Sequence, residues 1–243
     1  MATDGPVAKE DPQPSQRAIP EPTLRRLPLY HRLLKELPEQ AGAAISCTEI
    51  GRQLNLDPTQ VRKDLEMAGL AGRPRVGYPV AETLDGIASF LGWQKVNEAF
   101  LVGAGSLGSA LLGYRKFEDC GLRIVAALDA DVSKVGTRIH DKLVLQMNLL
   151  PDLARRMGVL IGIITVPPTE AQEVADMMIE GGIRAIWNFA PVQLSTPDTV
   201  ILHNEDLYCS LAALSQKLSL ELKARPSKPT GARERAKAAK LIS

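Results

Sequence analysis

The sequence predicts an α/β protein in two parts, a helical N-terminal domain followed by a doubly wound parallel-sheet domain. Three observations predict it. Between Thr23 and Tyr78, apolar residues recur at helical spacing and two helix-capping signals follow one another. Beyond Asn97, short apolar runs alternate with helical stretches, as strands wound with helices require. The first of those runs passes directly into G-x-G-x-x-G. A length of 243 residues suits a small domain beside a medium one.

Hydrophobic residues at 45% suffice for a core, and aromatics at 4% mean that Leu, Val, Ile and Ala build it. The net charge of +1 conceals an uneven spread. Thr23 to Tyr78 carries nine Lys/Arg against six Asp/Glu, Pro79 to Leu222 carries 11 against 17, and Lys223 to Ser243 carries seven against one. A basic head on an acidic body suits a nucleic-acid-binding module joined to one that must not bind it, although chance patchiness gives the same counts. Cys47, Cys120 and Cys209 form no C-x-x-C pair, which excludes an ordinary zinc site or redox dithiol, so no metal is expected. No apolar run approaches the roughly 20 residues of a membrane span, and a cytoplasmic location is expected.

Met1 to Pro22, rich in Pro, Gln and acids, reads as a disordered leader. A winged-helix domain is expected over 23–93. Leu24, Leu27, Tyr30, Leu33, Leu34 and Leu37 put one apolar stripe on a first helix. Ser46-Cys47-Thr48-Glu49 is a capping box, Ser46 taking the Glu49 amide and Glu49 reaching back, and it opens a short second helix. After the break at Asn55-Leu56-Asp57, Asp57 caps a third helix with Pro58 at its first position. That helix runs to about Ala68, where Gly69 ends it. Two short helices joined by a tight turn match a helix-turn-helix, and basic, Gly-rich Gly72 to Tyr78 matches a wing. Pro79 to Leu91 reads as a connector helix.

In the body, expected over 94–206, strands are predicted at Ala99 to Gly103, Ile124 to Leu128, Val159 to Val166, Ala185 to Phe189 and Thr199 to His203. Helices are predicted at Leu107 to Phe117, Leu149 to Met157 and Glu170 to Glu180. A last apolar helix, 207–222, has few partners within its own chain, and the basic 223–243 reads as a mobile tail.

Phe100 to Gly108 is a strand, a glycine turn and a helix start, the fingerprint of a Rossmann-type fold. Gly103 permits the tight turn, Gly105 lets a pyrophosphate approach the backbone, and Gly108 lets helix and strand pack closely. Ala104, Ser106 and Leu107 complete the turn. Asp129, about 20 residues beyond Gly108, stands where an acid bonds a ribose 2′-hydroxyl and repels a 2′-phosphate, favouring NAD(H) over NADP(H). Asp131 and Lys134 lie close enough to shape the adenosine end, and a solvated turn explains them equally well. Thr165-Val166-Pro167 and Asn188-Phe189-Ala190-Pro191 end later strands at the carboxyl edge where such sheets bind ligands; Pro167 and Pro191 are also ordinary strand stops.

No catalytic residue is expected. His31, His140 and His203 have no acid partner at a suggestive spacing, and no tyrosine is followed four residues later by lysine. The third helix instead offers Thr59, Gln60, Arg62 and Lys63 to a major groove, where Gln suits adenine and Arg or Lys suits guanine. Ser46 joins that surface, Arg73 and Arg75 would meet phosphates or a minor groove, and Tyr78 would pack behind the wing or touch the DNA backbone.

Leu27-Pro28-Leu29-Tyr30, Gln60-Val61-Arg62-Lys63-Asp64-Leu65, Val76-Gly77-Tyr78, the Gly103 to Gly108 turn, Thr165-Val166-Pro167 and Asn188 to Pro191 together resemble the redox-sensing transcriptional repressors of the Rex family. The resemblance spans about Thr23 to Leu218. It implies a homodimer that binds palindromic double-stranded operator DNA when NADH is scarce and releases it when NADH binds, with NADH and NAD⁺ as sensed ligands, not reagents. It further implies that the helix from Leu207 is domain-swapped between subunits, and that Arg32, Tyr114 and Asp206 serve the ligand-dependent switch. The chain departs from the family pattern at Glu66-Met67-Ala68 and at Arg73-Pro74-Arg75, which bears on operator preference and wing contacts. An NAD-dependent oxidoreductase with an accessory head, or a nucleotide-gated scaffold, are the alternatives.

Overall fold

The structure is a computed structural model that describes residues 19–38, 43–205 and 207–224. Two compact units are formed, one by the chain up to Val96 together with Lys116–Leu122, the other by Asn97–Arg115 and the chain from Arg123 onward.

In the first unit, α1 (Glu21–Lys35) begins inside the stretch read as leader. It buries Leu27, Tyr30 and Leu34, the i, i+3, i+7 residues of the expected stripe, and tolerates Pro28 in its interior. A two-residue strand β1 (Ala44–Ile45) precedes α2 (Cys47–Leu54), and Asn55, in the left-handed conformation, turns the chain toward α3 (Pro58–Met67). Both caps form: Ser46 Oγ accepts the Glu49 amide at 3.1 Å, and Asp57 accepts those of Thr59 and Gln60. The capping box is half made, because Glu49 is held instead by Arg52 and Gln53 on its own helix. After a hairpin in which Arg73 and Gly77 exchange backbone hydrogen bonds, β2 (Tyr78–Pro79) pairs antiparallel with β1 and leads into α4 (Val80–Phe90). Leu27, Tyr30, Leu34, Ile50, Val61, Leu65 and Ile87 form one core.

The second unit is built on a seven-stranded sheet ordered β5-β6-β4-β3-β7-β8-β9. Its strands are β3 (Asn97–Val102), β4 (Leu122–Asp129), β5 (Arg138–Ile139), β6 (Lys142–Gln146), β7 (Ile161–Ile164), β8 (Ala185–Asn188) and β9 (Ile201–Asn204). β3 with β7, β4 with β6, β7 with β8 and β8 with β9 are parallel, and β5 pairs antiparallel with β6. Four consecutive buried residues in β3 show a strand covered on both faces. Cover comes from α7 (Leu150–Met157) and from α8 (Pro168–Glu180), which buries Ala171, Val174, Ala175 and Met178 at helical spacing.

Three further expectations need correction. Leu107 to Phe117 is not one helix: α5 (Ser106–Leu112) ends at Gly113, and α6 (Lys116–Asp119) follows and clusters with the first unit. β5 and β6 lie outside the strands the sequence predicts, since His140 and Asp141 join them through a two-residue turn with both φ angles positive, a conformation that residues other than Gly seldom signal. The last helix, α9 (Leu207–Ala224), extends past Leu222. Asp206, and the tail beyond Ala224, lie outside the described residues.

Candidate functional site

At the carboxyl end of β3 the three fingerprint glycines have three distinct surroundings. Gly103 has φ +102° and a Cβ there would stand 2.8 Å from the Thr165 carbonyl. A Cβ on Gly108 would lie 1.9 Å from Gly103 O, so α5 can sit over the strand only if that position is bare. Around Gly105 there is open space, a cradle with nothing within 4 Å of where a Cβ would stand. Ser106 and Leu107 follow as exposed residues at the start of α5, and Ala104 is buried.

Asp129 closes this turn. Its Oδ2 accepts the Ala104 amide at 2.7 Å and Lys134 Nζ at 3.0 Å, and its Oδ1 accepts the Asp131 amide at 2.8 Å. Burial alone would raise this carboxyl, but the Asp131 amide, Lys134 and the Ala104 amide together outweigh it and hold it below the usual carboxylate range. It is therefore ionised at neutral pH, and Oδ1 keeps a lone pair for a further donor.

The same edge gathers the other expected residues. Thr165 Oγ1 reaches Gly103 O at 2.7 Å, tying the end of β7 to the glycine turn. Val166 is buried, and Pro167 caps α8 at the surface. Phe189 donates its amide to Ile164 O, its ring 4.8 Å from that of Trp187; Ala190 is buried and Pro191 exposed. Asn188 is wholly buried and its amide is committed to Ala190, Val192 and Asn204, so it shapes the loop and presents no free polar atom. Asn204 and Glu205, which meet this loop, carried no signal in the sequence beyond standing at a strand end.

In the head, Thr59, Arg62 and Lys63 are exposed on the first turns of α3. Gln60 is turned along the helix, its Nε2 2.9 Å from Asp64 Oδ1. That carboxylate, fully buried, is a hub that also accepts Thr23 Oγ1, Arg26 Nε and Nη2, and the Tyr30 hydroxyl, all at 2.6–3.0 Å. Burial works against its ionisation, and Arg26, Tyr30, Gln60 and Thr23 jointly keep it charged. The Ser46 hydroxyl is exposed but engaged as a cap. Arg75 stands exposed in the wing with φ +63°, while Arg73 pairs with Glu82 at 2.6 Å. Tyr78 is 5% exposed, a core side chain seated behind the wing and not on its surface.

Arg32 is exposed in the last turn of α1 in the head, and Tyr114 is 51% exposed just after α5 in the body. His31 meets Trp93 edge to face at 5.1 Å. Contrary to expectation, His203 has an acid partner: Glu205 Oε2 lies 3.6 Å from its Nε2, since residues two apart in extended chain share a face. Among the described residues no group of three or more His, Cys, Asp or Glu could hold a metal ion, and no helix is long and apolar enough to cross a membrane.

A winged helix-turn-helix on one side of the chain and a glycine-turn Rossmann-type sheet on the other define a class, proteins that join a DNA-reading fold to a dinucleotide-binding one. Known families divide the chain the same way: one described as "Putative DNA-binding protein N-terminus" matches residues 18–66, and one described as "CoA binding domain" matches residues 94–192. The redox-sensing transcriptional repressor Rex of Treponema denticola is 44% identical over 82% of this chain and 95% of its own length. That of Bacteroides thetaiotaomicron is 39% identical over 83% and 91%. The crystal structure of RSP in complex with β-NAD⁺ and operator DNA superposes with a TM-score of 0.77 at 34% identity, covering 87% of this chain and 100% of RSP. That of RSP in complex with β-NADH gives 0.76 at 34%, covering 88% and 100%. This chain belongs to the Rex family of redox-sensing transcriptional repressors.

Proposed function

We propose that this chain is a transcriptional repressor that binds operator DNA as a homodimer and lets it go when NADH occupies the glycine turn. The observation that carries the reading is the open space at Gly105 between two glycines whose Cβ atoms would strike backbone, on a chain of which 87% matches the full length of RSP. That cradle fits a pyrophosphate, and ionised Asp129, with a lone pair to spare on Oδ1, fits a ribose hydroxyl. Gly103 to Gly108 receive the phosphates, Asp129 and Lys134 the adenosine end, and Thr165, Val166, Pro167, Phe189, Ala190 and Pro191 the nicotinamide end, with Asn188 holding their loop.

Thr59, Arg62 and Lys63 read the major groove, while Arg73 and Arg75 approach the backbone. Gln60, held by Asp64, acts on the pose of α3 more than on a base. Domains 23–93 and 94–206 divide these tasks, and the apolar side chains that α9 exposes, Leu211, Leu214, Leu218 and Leu222 among them, are covered by exchange with a second copy. Arg32, Tyr114 and Asp206 belong to the switch that follows. The dinucleotide is a signal, and no catalytic role is assigned to any residue.

A ligand moves DNA affinity only through its unequal affinity for the binding and released arrangements. NADH does so and NAD⁺ does so poorly, because seating a cationic nicotinamide beside Pro167 and Phe189 carries a desolvation cost that the neutral ring avoids. In a gel-shift titration on a palindromic duplex selected from a random-core library without nucleotide, NADH is expected to release DNA at concentrations at least tenfold below NAD⁺, about 1.4 kcal/mol of discrimination. Equal release by the two would remove the redox-sensing role. Asp129→Ala is expected to hold the same duplex yet need about tenfold more NADH to release it, the worth of one charge-assisted hydrogen bond. Loss of DNA binding in that variant would refute the assignment.

A further inference from the structure

We propose that Asn204 is a positioning residue of the ligand response: through Asn188 it ties the loop beside the nicotinamide end to the root of α9. The proposal rests on the repressor reading above. Hydrogen bonds run without a break along the carboxyl edge of the sheet. Asp129 holds the Ala104 amide, Gly103 donates to Leu128 O, Thr165 donates to Val102 O and Gly103 O, and Phe189 donates to Ile164 O. At the far end the Asn188 carbonyl accepts the Glu205 amide at 2.8 Å, while Asn188 Nδ2 donates to Asn204 Oδ1 at 2.9 Å. A second tie lies beside it, Trp187 Nε1 reaching Glu205 Oε2 at 3.3 Å with its ring against Phe189. Leu207, the first residue of α9, is three positions beyond Asn204.

Asn188 Nδ2 is oversubscribed. It has two hydrogens and three acceptors, Ala190 O at 3.1 Å, Val192 O at 3.0 Å and Asn204 Oδ1. Any movement of the 189–192 loop that draws Ala190 or Val192 toward or away from that amide redistributes its hydrogens, and Asn204 gains or loses one. Loop state is thus converted into the hold on the chain entering α9. Most of the belt is main chain and cannot be cut by substitution. The link from Asn188 to Asn204 can be, and Asn204 is exposed, so truncating it opens no cavity.

The test uses the full-length protein and its Asn204→Ala and Asn204→Asp variants, with NADH as ligand and the library-selected duplex labelled with fluorescein. NADH affinity of the free protein, duplex affinity without NADH, and the NADH concentration that releases half the duplex are measured separately. Asn204→Ala is expected to keep the first two within twofold of the parent and to raise the third about fivefold, the share of one neutral hydrogen bond. Asn204→Asp retains the acceptor oxygen and restores the parental release. Unchanged release in Asn204→Ala, a matching drop in its NADH affinity, or failure of Asn204→Asp to rescue overturns the relay. A parent protein that binds neither NADH nor any selected duplex instead overturns the repressor reading, and the relay with it.

Discussion

Gly108→Ala is expected to yield a protein that grips operator DNA and no longer lets go when NADH is added. The added methyl would lie 1.9 Å from Gly103 O and 2.9 Å from Thr165 Oγ1, the two atoms that bond to each other to hold the turn. No rotamer relieves a Cβ, so the turn itself must shift. Overpacking of this kind costs about 1–3 kcal/mol, roughly a fivefold to 150-fold loss of NADH affinity together with a lower melting temperature. Gly105→Ala separates the two effects. Nothing stands within 4 Å of the position its Cβ would take, so its melting temperature is expected to match the parent while NADH binding still weakens. Fluorescence titration and thermal denaturation read both variants; parental NADH affinity in Gly108→Ala would show that the turn yields and is not what the ligand reads.

Asp64→Ala is expected to unfold the head. Two oxygens there accept five hydrogen bonds from four side chains, and Thr23, Arg26 and Tyr30 belong to α1 while Gln60 and Asp64 belong to α3. Removing the carboxylate strands a guanidinium whose side chain is only 20% exposed and the buried hydroxyls of Thr23 and Tyr30, at a cost of about 3 kcal/mol. Duplex binding is expected to vanish while NADH binding by the other unit survives. The hub also gives the head an acid limit. Its folded carboxyl titrates below the unfolded value of about 3.9, so between the two values the unfolded chain binds more protons. Its stabilisation is full above about pH 4 and is lost as pH falls through the folded value. Circular dichroism followed from pH 6 to pH 2 measures this, and a head that melts identically with and without Asp64 would remove the hub from the account.

How much of this the sequence shows depends on the distance over which the determinants act. The caps at Ser46 and Asp57 lie within three residues of the amides they satisfy, and the glycine turn with Asp129 occupies one strand-helix-strand unit, so both are legible. The Asp64 hub draws on Thr23, 41 residues away, and nothing local marks an Asp on α3 as buried or turns Gln60 along its helix. For Tyr78 the sequence leaves two places open, behind the wing or against a DNA backbone, and only the fold puts its ring over Gly72. The Asn188 to Asn204 link joins two strands across 16 residues and has no spacing to betray it. The β5–β6 hairpin was hidden by its turn, where His140 and Asp141 take a conformation for which Asn-Gly is the usual signal.

Asp129 has another implication. With the Ala104 amide and Lys134 bonded to its carboxylate, and Thr165 bonded to Gly103, the turn is braced by the chain's own side chains and amides. A braced turn has little conformational entropy left to surrender, so a ligand seated on it would need no refolding step to arrive or depart. On the proposed function, a turn braced in this way would serve as a gauge and not as a latch, its reading following whichever form of the coenzyme is winning the competition.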